Sequence, residues 1–395
     1  MKRYAIFLLP IVGFAFYLIA ELNNGRFNIP DFEVYYQSAE RLTQAESLYT
    51  NDLGFFYRYK YSPSAALPFL VFTVLPLFAA KIAWWLVSIA IIVANLWLVA
   101  RLAHHGLPEP DNRRYTWLIL PLMLTMGSFY EADIHLGQVN QLNFLLFLGM
   151  AWFHWYKPKA WAVGLLWAIS FSFKPFALIL LPYFLWKKEW KILGWIAAAT
   201  AVWLLLPVLF YGNWEMWQNE MVGWLRELSI ELSRKQDLLA PRGFTMFAIL
   251  ARYTPARWLI EFDASGTLLF QLSVLGIAAV LILRLMLRGQ NGPRQALYEW
   301  ALILGLIPMI ASTGRAMFVF LSLGLYLLFQ SFSRFHVAIK GAIVGACLLL
   351  GGNIGELWGR DLSEGYNNLG LIGIAAVLLW SILLWQAMRG KEELS

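Results

Sequence analysis

Apolar residues run through this chain in long unbroken blocks separated by short polar clusters, a pattern set by the surrounding solvent rather than by one helix face. A helix crossing lipid hydrocarbon needs roughly 20 such residues in a row, within about 17–25. Blocks that approach this lie at 4–22, 82–101, 115–130, 141–156, 160–173, 176–188, 190–210, 266–287, 297–313, 316–332, 337–352 and 369–388. They predict an all-α integral membrane protein of about 12 transmembrane helices, roughly 11–13, forming a single polytopic domain over 1–395. The blocks 160–173 and 176–188 are separated by Lys174-Pro175 and read as two half-helices. The stretch 63–79 is apolar but carries Pro63, Pro68 and Pro76. It reads as re-entrant, because a proline inside a span needs neighbours to satisfy the backbone it frees. The first block follows Lys2-Arg3 and lacks a small-x-small cleavage site, so it reads as a retained first helix.

Composition agrees with the blocks. The chain is 60% hydrophobic and 14% charged, against about 45–50% and about 25% in soluble domains. Its 20 Trp suit the bilayer interfaces, where an apolar ring and a polar edge both find partners. The net charge of +7 does not point to nucleic acid, because no soluble segment is long enough to carry a basic stripe. It fits topology instead. With both termini inside, the short segments on that side hold Lys2, Arg3, Arg101, Arg113, Arg114, Lys157, Lys159, Lys187, Lys188, Lys191, Arg284, Arg288, Arg294, Arg334, Lys340, Arg389 and Lys391, the expected inward basic bias. The long segments then lie outside: a first outer loop at 23–81, holding the re-entrant stretch, a second at 211–265, and a shorter one at 353–368. Cys347 stands alone, which excludes an intrachain disulfide and paired-cysteine metal motifs.

The first outer loop opens with Pro30-Asp31-Phe32-Glu33-Val34-Tyr35-Tyr36-Gln37-Ser38-Ala39. Pro30 suits a first helical position. Phe32, Tyr35, Tyr36 and Ala39 recur at helical spacing, which predicts an amphipathic juxtamembrane helix lying on the membrane surface. Asp31 in its first turn complements the helix N-terminus, or serves as a general base at the bilayer boundary. Asp31 and Glu33 stand i and i+2, so their side chains diverge, and a divalent metal has no support here. Lys174 interrupts an apolar run, where a charge is expensive and usually functional. Arg315, Arg58 and Lys60 are further cations on the outer side, each able either to bind an anion or to snorkel to the interface. Gln138, Asn140 and Gln141 are amides that can hold sugar hydroxyls or stitch helices together. His135 accompanies them. Glu131 and Asp133 form a second acidic pair, next in line for the base role after Asp31.

Three of these segments resemble a known family. Asp31–Ala39 with Ser47-Leu48-Tyr49 and Tyr59-Lys60-Tyr61-Ser62-Pro63, then His135-Leu136-Gly137-Gln138-Val139-Asn140-Gln141-Leu142, then Phe171-Ser172-Phe173-Lys174-Pro175 are similar to segments of the GT-C membrane glycosyltransferases. Glycosyltransferase family 87, which includes polyprenyl-phosphate-mannose-dependent α-mannosyltransferases, is the nearest in pattern. The resemblance implies inverting transfer of a hexose, mannose first, from a polyprenyl-phosphate sugar to a lipid or glycan acceptor. The site would lie on the periplasmic side of a bacterial cytoplasmic membrane. Asp31 matches the family's base. Lys174, Arg315, Arg58 and Lys60 would bind the donor phosphate. Tyr35, Tyr61, His135, Gln138, Asn140 and Gln141 would contact sugar or acceptor. No cofactor is implied, and the partners are the lipid donor, the acceptor and membrane lipids. One departure stands out: members often carry a histidine in a late outer segment, and here Pro308 to Met317 holds Arg315 instead. The competing reading is a transporter or flippase of lipid-linked sugars, whose mark would be paired broken helices in two related halves. The Lys174-Pro175 break is its one support.

Overall fold

The structure is a computed structural model that describes residues 6–50, 58–104, 117–233, 238–239, 243–262, 264–287, 293–310, 314–353 and 359–389. Lys2, Arg3, Arg113, Arg114, Arg288 and Lys391, used above for topology, lie outside them, as do Ser312 and Thr313 ahead of Arg315. Among the described residues every regular element is a helix. Five are long and apolar enough to cross a membrane: Leu77–Ala103, Trp190–Tyr211 (bent at Leu206-Pro207), Thr267–Leu287, Arg315–Arg334 and Leu371–Arg389. Shorter apolar helices are Leu8–Asn23, Pro63–Phe72, Ala160–Phe173, Pro175–Trp186 and Val337–Gly351. Several of the shorter helices have 14–16 residues and rise only about 21–24 Å, against roughly 30 Å of hydrocarbon. The blocks at 115–130, 141–156 and 297–313 appear as helices Ile119–Leu136, Asn140–Trp155 and Pro293–Ile310.

Two compact units divide the chain. One comprises Phe7–Leu98 and Glu131–Lys235 and carries the candidate site. Its helices are α1 (Leu8–Asn23), α2 (Pro30–Thr43), most of α3 (Leu77–Ala103), the end of α4 (Ile119–Leu136), α5 (Asn140–Trp155), α6 (Ala160–Phe173), α7 (Leu181–Trp186), α8 (Trp190–Leu205), α9 (Val208–Tyr211) and α10 (Trp214–Ser233). The other comprises Val99–Tyr130 and Gln236–Ser395 with Met1–Ile6. There the segment Arg315–Arg334 is almost wholly buried, Tyr130 meets Ser322, and Trp380 donates to the Leu302 carbonyl. A cavity of about 670 Å³ in that unit is lined mainly by apolar side chains such as Leu118, Leu124, Phe329, Ile343 and Leu348.

Helix α2 forms where the sequence predicts, but what covers its apolar face differs. Pro30 occupies the first turn, Asp31 and Glu33 stand at the positive end of the helix dipole and Arg41 at the negative end. Phe32, Tyr35, Tyr36, Ala39 and Leu42 are buried in protein rather than laid into lipid. Phe32 stacks on Trp84 with centroids 5.6 Å apart and meets Phe72 edge-on at 5.5 Å, while Tyr35 stacks on Phe69 at 4.7 Å. Each such pair contributes about 0.5–1.5 kcal/mol beyond area burial. The helix is thus docked on α3 and on the segment Pro63–Phe72, a 3-10 helix that absorbs Pro63 and Pro68. The stretch 211–265 is not an open loop: α10, Met246–Tyr253 and Arg257–Phe262 fill much of it.

Candidate functional site

Three chain breaks bring the polar groups of this unit to one place. Helix α6 stops at Lys174 because Pro175 follows: a residue before proline is steered out of the helical region, and Lys174 is extended, with φ −146° and ψ 132°. Ser62, ahead of Pro63, is extended in the same way, and its N–H donates to the Ser172 carbonyl over 3.0 Å. That bond ties residues 59–62 to the end of α6. Tyr49 Oη donates to the Tyr61 carbonyl at 2.7 Å, and Tyr59 Oη to the Ser62 carbonyl at 2.8 Å, which fixes the same strip. The third break is the turn between α4 and α5. Gly137 has φ +71°, and a Cβ there would stand 2.9 Å from the Phe32 Cβ. Only glycine lets this turn press against α2.

The turn presents Gln138 to α2. Its Nε2 donates to Asp31 Oδ2, while the Gln138 Oε1 is buried without a protein partner. Asp31 is half-buried. Burial pushes its carboxyl above the usual carboxylate range, and Lys174, the Gln138 hydrogen bond and Lys60 pull it back without cancelling the rise. Lys174 and Lys60 therefore both lie within electrostatic reach of Asp31. Lys174 Nζ donates to Asn140 Oδ1 at 2.7 Å. Behind it, Asn140 Nδ2 donates to Asp133 Oδ1 at 2.8 Å, and the Gln141 N–H donates to Asp133 Oδ2 at 3.2 Å. Asp133 is 1% exposed and Asn140 3%.

The other residues singled out in the sequence fall into different surroundings. Tyr61 is half-buried beside this group, and Tyr35, buried, meets its hydroxyl at 3.0 Å, so Tyr35 supports Tyr61 from behind. Gln141 turns into the helix interior, where Asn95 Nδ2 donates to its Oε1 at 2.8 Å. Glu131 and Asp133, two residues apart in sequence, separate onto two faces of α4. Glu131 accepts from Tyr17 Oη at 2.8 Å, and His135 Nδ1 lies 3.2 Å from Glu21 Oε2, both on the α1 side. Glu33 leaves Asp31 to pair with Lys81 at 2.8 Å. Among the described residues no group of three His, Cys, Asp or Glu could hold a metal. Arg58 pairs with Glu227, and Lys60 Nζ lies 2.9 Å from Glu231 Oε1. Arg315 belongs to the other unit, where it opens the 3-10 turns ahead of Ser322.

Sequence reasoning missed α10 altogether. Glu220 accepts the Leu48 N–H at 2.9 Å, and with Glu227 and Glu231 it forms a carboxylate stripe along the helix. Gly223 stands within that stripe, where a Cβ would come 2.5 Å from the Tyr49 ring. Their spacing of seven and four residues was the available signal, since it places all three on one helical face.

Taken chemically, the unit offers a raised carboxylate with one oxygen held by an amide, two ammonium groups beside it and a half-buried tyrosine. No curated protein matches the chain. The family model described as glycosyltransferase family 87 matches residues 59–313. The match takes in Lys60, Tyr61, the His135–Leu142 block and Lys174-Pro175, and begins C-terminal to α2 and Asp31.

Proposed function

The chain belongs to glycosyltransferase family 87 and is a membrane glycosyltransferase, and from that premise we propose that it transfers a hexose from a polyprenyl-phosphate donor, with Asp31 as general base. The observation that carries this is the company Asp31 keeps. Gln138 occupies Oδ2, so Oδ1 can receive the proton of an acceptor hydroxyl. The acceptor oxygen then forms its bond to the sugar's anomeric carbon as the bond from that carbon to the phosphate oxygen breaks. The proton ends on Asp31, the electron pair leaves on the phosphate, and the anomeric configuration inverts. A base must lie within hydrogen-bond reach of the hydroxyl it deprotonates, and the growing charge on the leaving phosphate needs fixed cations, which Lys174 and Lys60 supply. Tyr61 and Gln138, both half-buried beside Asp31, are the contacts for sugar or acceptor hydroxyls. Mannose is the sugar the family resemblance favours.

Topology supports a lipid-linked donor. With both termini inside, short basic segments face the cytoplasm and the site faces the periplasm of a bacterial cell, where nucleotide sugars are not supplied. A polyprenyl-phosphate sugar keeps its tail in hydrocarbon and its phosphate at the interface. The family membership favours transfer over the transporter reading.

The test offers purified protein in lipid vesicles two radiolabelled donors, a polyprenyl-phosphate hexose and a nucleotide hexose, with a membrane-extract acceptor. Label is expected to move from the lipid-linked donor, with mannose ahead of glucose. Transfer from the nucleotide hexose alone would overturn the donor assignment.

A further inference from the structure

Asp133 carries the most complete set of unexplained contacts in the site-bearing unit. It is a buried carboxylate from the last turns of α4, and both of its oxygens are taken, one by the Asn140 amide nitrogen and the other by the Gln141 N–H. Buried and engaged in this way, it is placed behind Asp31, which keeps the base role in the reading above. Its contacts also do more than cap α5, whose N-cap residue Val139 makes no side-chain cap bond.

Resting on the donor reading above, we infer that Asp133 is a positioning residue for Lys174, acting through Asn140. An ionised carboxylate only accepts hydrogen bonds. It therefore fixes which end of the Asn140 amide faces it: Nδ2 turns to Asp133, and Oδ1 must turn the other way. There it meets Lys174 Nζ at 2.7 Å. The chain of polarity runs carboxylate, amide, ammonium, each donor matched to one acceptor. If the carboxylate is removed, the amide is free to rotate and present its NH2 to the ammonium, two donors face to face. Lys174 would then leave its place. The arrangement also sets a negative charge one amide away from the lysine, close enough to favour its charged form. Lys174 is thereby held in position and kept cationic, within electrostatic reach of Asp31.

The experiment is a double-mutant cycle on the full-length protein in detergent, reading the affinity for polyprenyl phosphate by intrinsic tryptophan fluorescence. The variants are Asp133→Asn, Lys174→Met and the two together, with thermal unfolding as a check on the fold. Asp133→Asn is expected to weaken binding about tenfold, and the double variant to bind within about twofold of Lys174→Met alone, because groups acting through one another are not additive. Independent, multiplying losses would overturn the inference, and so would unaltered binding in Asp133→Asn. Where Asp133→Asn does not fold, Asn140→Leu removes the relay and leaves the carboxylate on the Gln141 N–H; wild-type binding in that variant would equally overturn it. A second readout does not depend on the donor. The pH dependence of Lys174 reductive methylation, followed by mass spectrometry, is expected to move to lower pH in Asp133→Asn and to stay put if Asp133 acts only as a helix cap. Should wild-type protein fail to bind polyprenyl phosphate, the donor reading falls, and the methylation profile decides the role of Asp133 by itself.

Discussion

The site-bearing unit treats its cations in two ways. Along α10, Arg58 and Lys60 are each answered by a carboxylate, Glu227 and Glu231. At the end of α6, Lys174 donates to a neutral amide oxygen, with its balancing carboxylate held one residue further back. The physical consequences differ. A direct ion pair satisfies both partners, so an incoming anion must first displace the carboxylate. An ammonium resting on an amide has its position fixed by a neutral partner, which an incoming anion does not have to displace as a rival charge. Within one unit, then, α10 uses its carboxylates to hold Leu48, Arg58 and Lys60, while the α6 break sets a lysine on a neutral amide. Burial sharpens the contrast: Glu227 is 4% exposed, so losing Arg58 would leave a buried charge without its partner. Lys60 and Glu231 are about one-third exposed, and their pair is worth little in water.

The largest effect expected from this contrast is at Lys174. Lys174→Met should lower kcat/KM for the lipid donor by roughly a hundredfold or more, the scale of removing one fixed donor from a charge-developing site. It should also move the pH profile. As the proposed base, Asp31 would work only when ionised, and burial raises its carboxyl above the ordinary range, so activity is expected to fall as pH drops through that raised value. Lys174 is the strongest of the influences that lower it. Without Lys174 the acid limb should shift to higher pH, while removing Lys60, the weakest of them, should shift it less. Rates across pH 4–8 for the two variants check both statements.

Next in size, Asn140→Asp should convert Lys174 into the kind of cation found on α10. A carboxylate placed directly on the ammonium would compete with the donor phosphate and weaken its binding about tenfold, the scale of one charge-assisted contact. Donor titration measures it; unchanged affinity would show that the neutral partner is immaterial. The smallest effect belongs to Glu231→Gln. Releasing Lys60 should raise donor affinity only about two- to threefold, and less as salt is added, because exposed pairs are screened and worth under roughly 1 kcal/mol.

Much of this was legible beforehand, for identifiable reasons. Hydrophobic blocks found the helices because lipid demands long apolar runs. Pro175 placed the break beside Lys174, since proline restricts the residue before it. Helical spacing from Phe32 to Ala39 found α2, but spacing reveals that a face is apolar and not what covers it, and here Trp84, Phe69 and Phe72 cover it rather than lipid. The first outer loop and α10 lie far apart in sequence, so nothing local could pair Arg58 with Glu227 or Lys60 with Glu231. Asp133 was hidden by its neighbour Glu131. The two read as a pair, yet i and i+2 on a helix point apart, and only the fold assigns one to Tyr17 and the other to Asn140.

The proposed chemistry turns on Asp31, so Asp31→Asn measured against wild type is the most direct test. The asparagine can still accept from Gln138, which should preserve the local structure. Because the folded-state carboxyl is raised by burial, its ionised form costs stability at neutral pH, and the variant should melt at the same temperature or higher. Binding of polyprenyl phosphate should persist. Hexose transfer should fall at least about a hundredfold, the low end of what a general base contributes. Folded, donor-binding Asp31→Asn protein that transfers hexose at close to the wild-type rate would contradict the account.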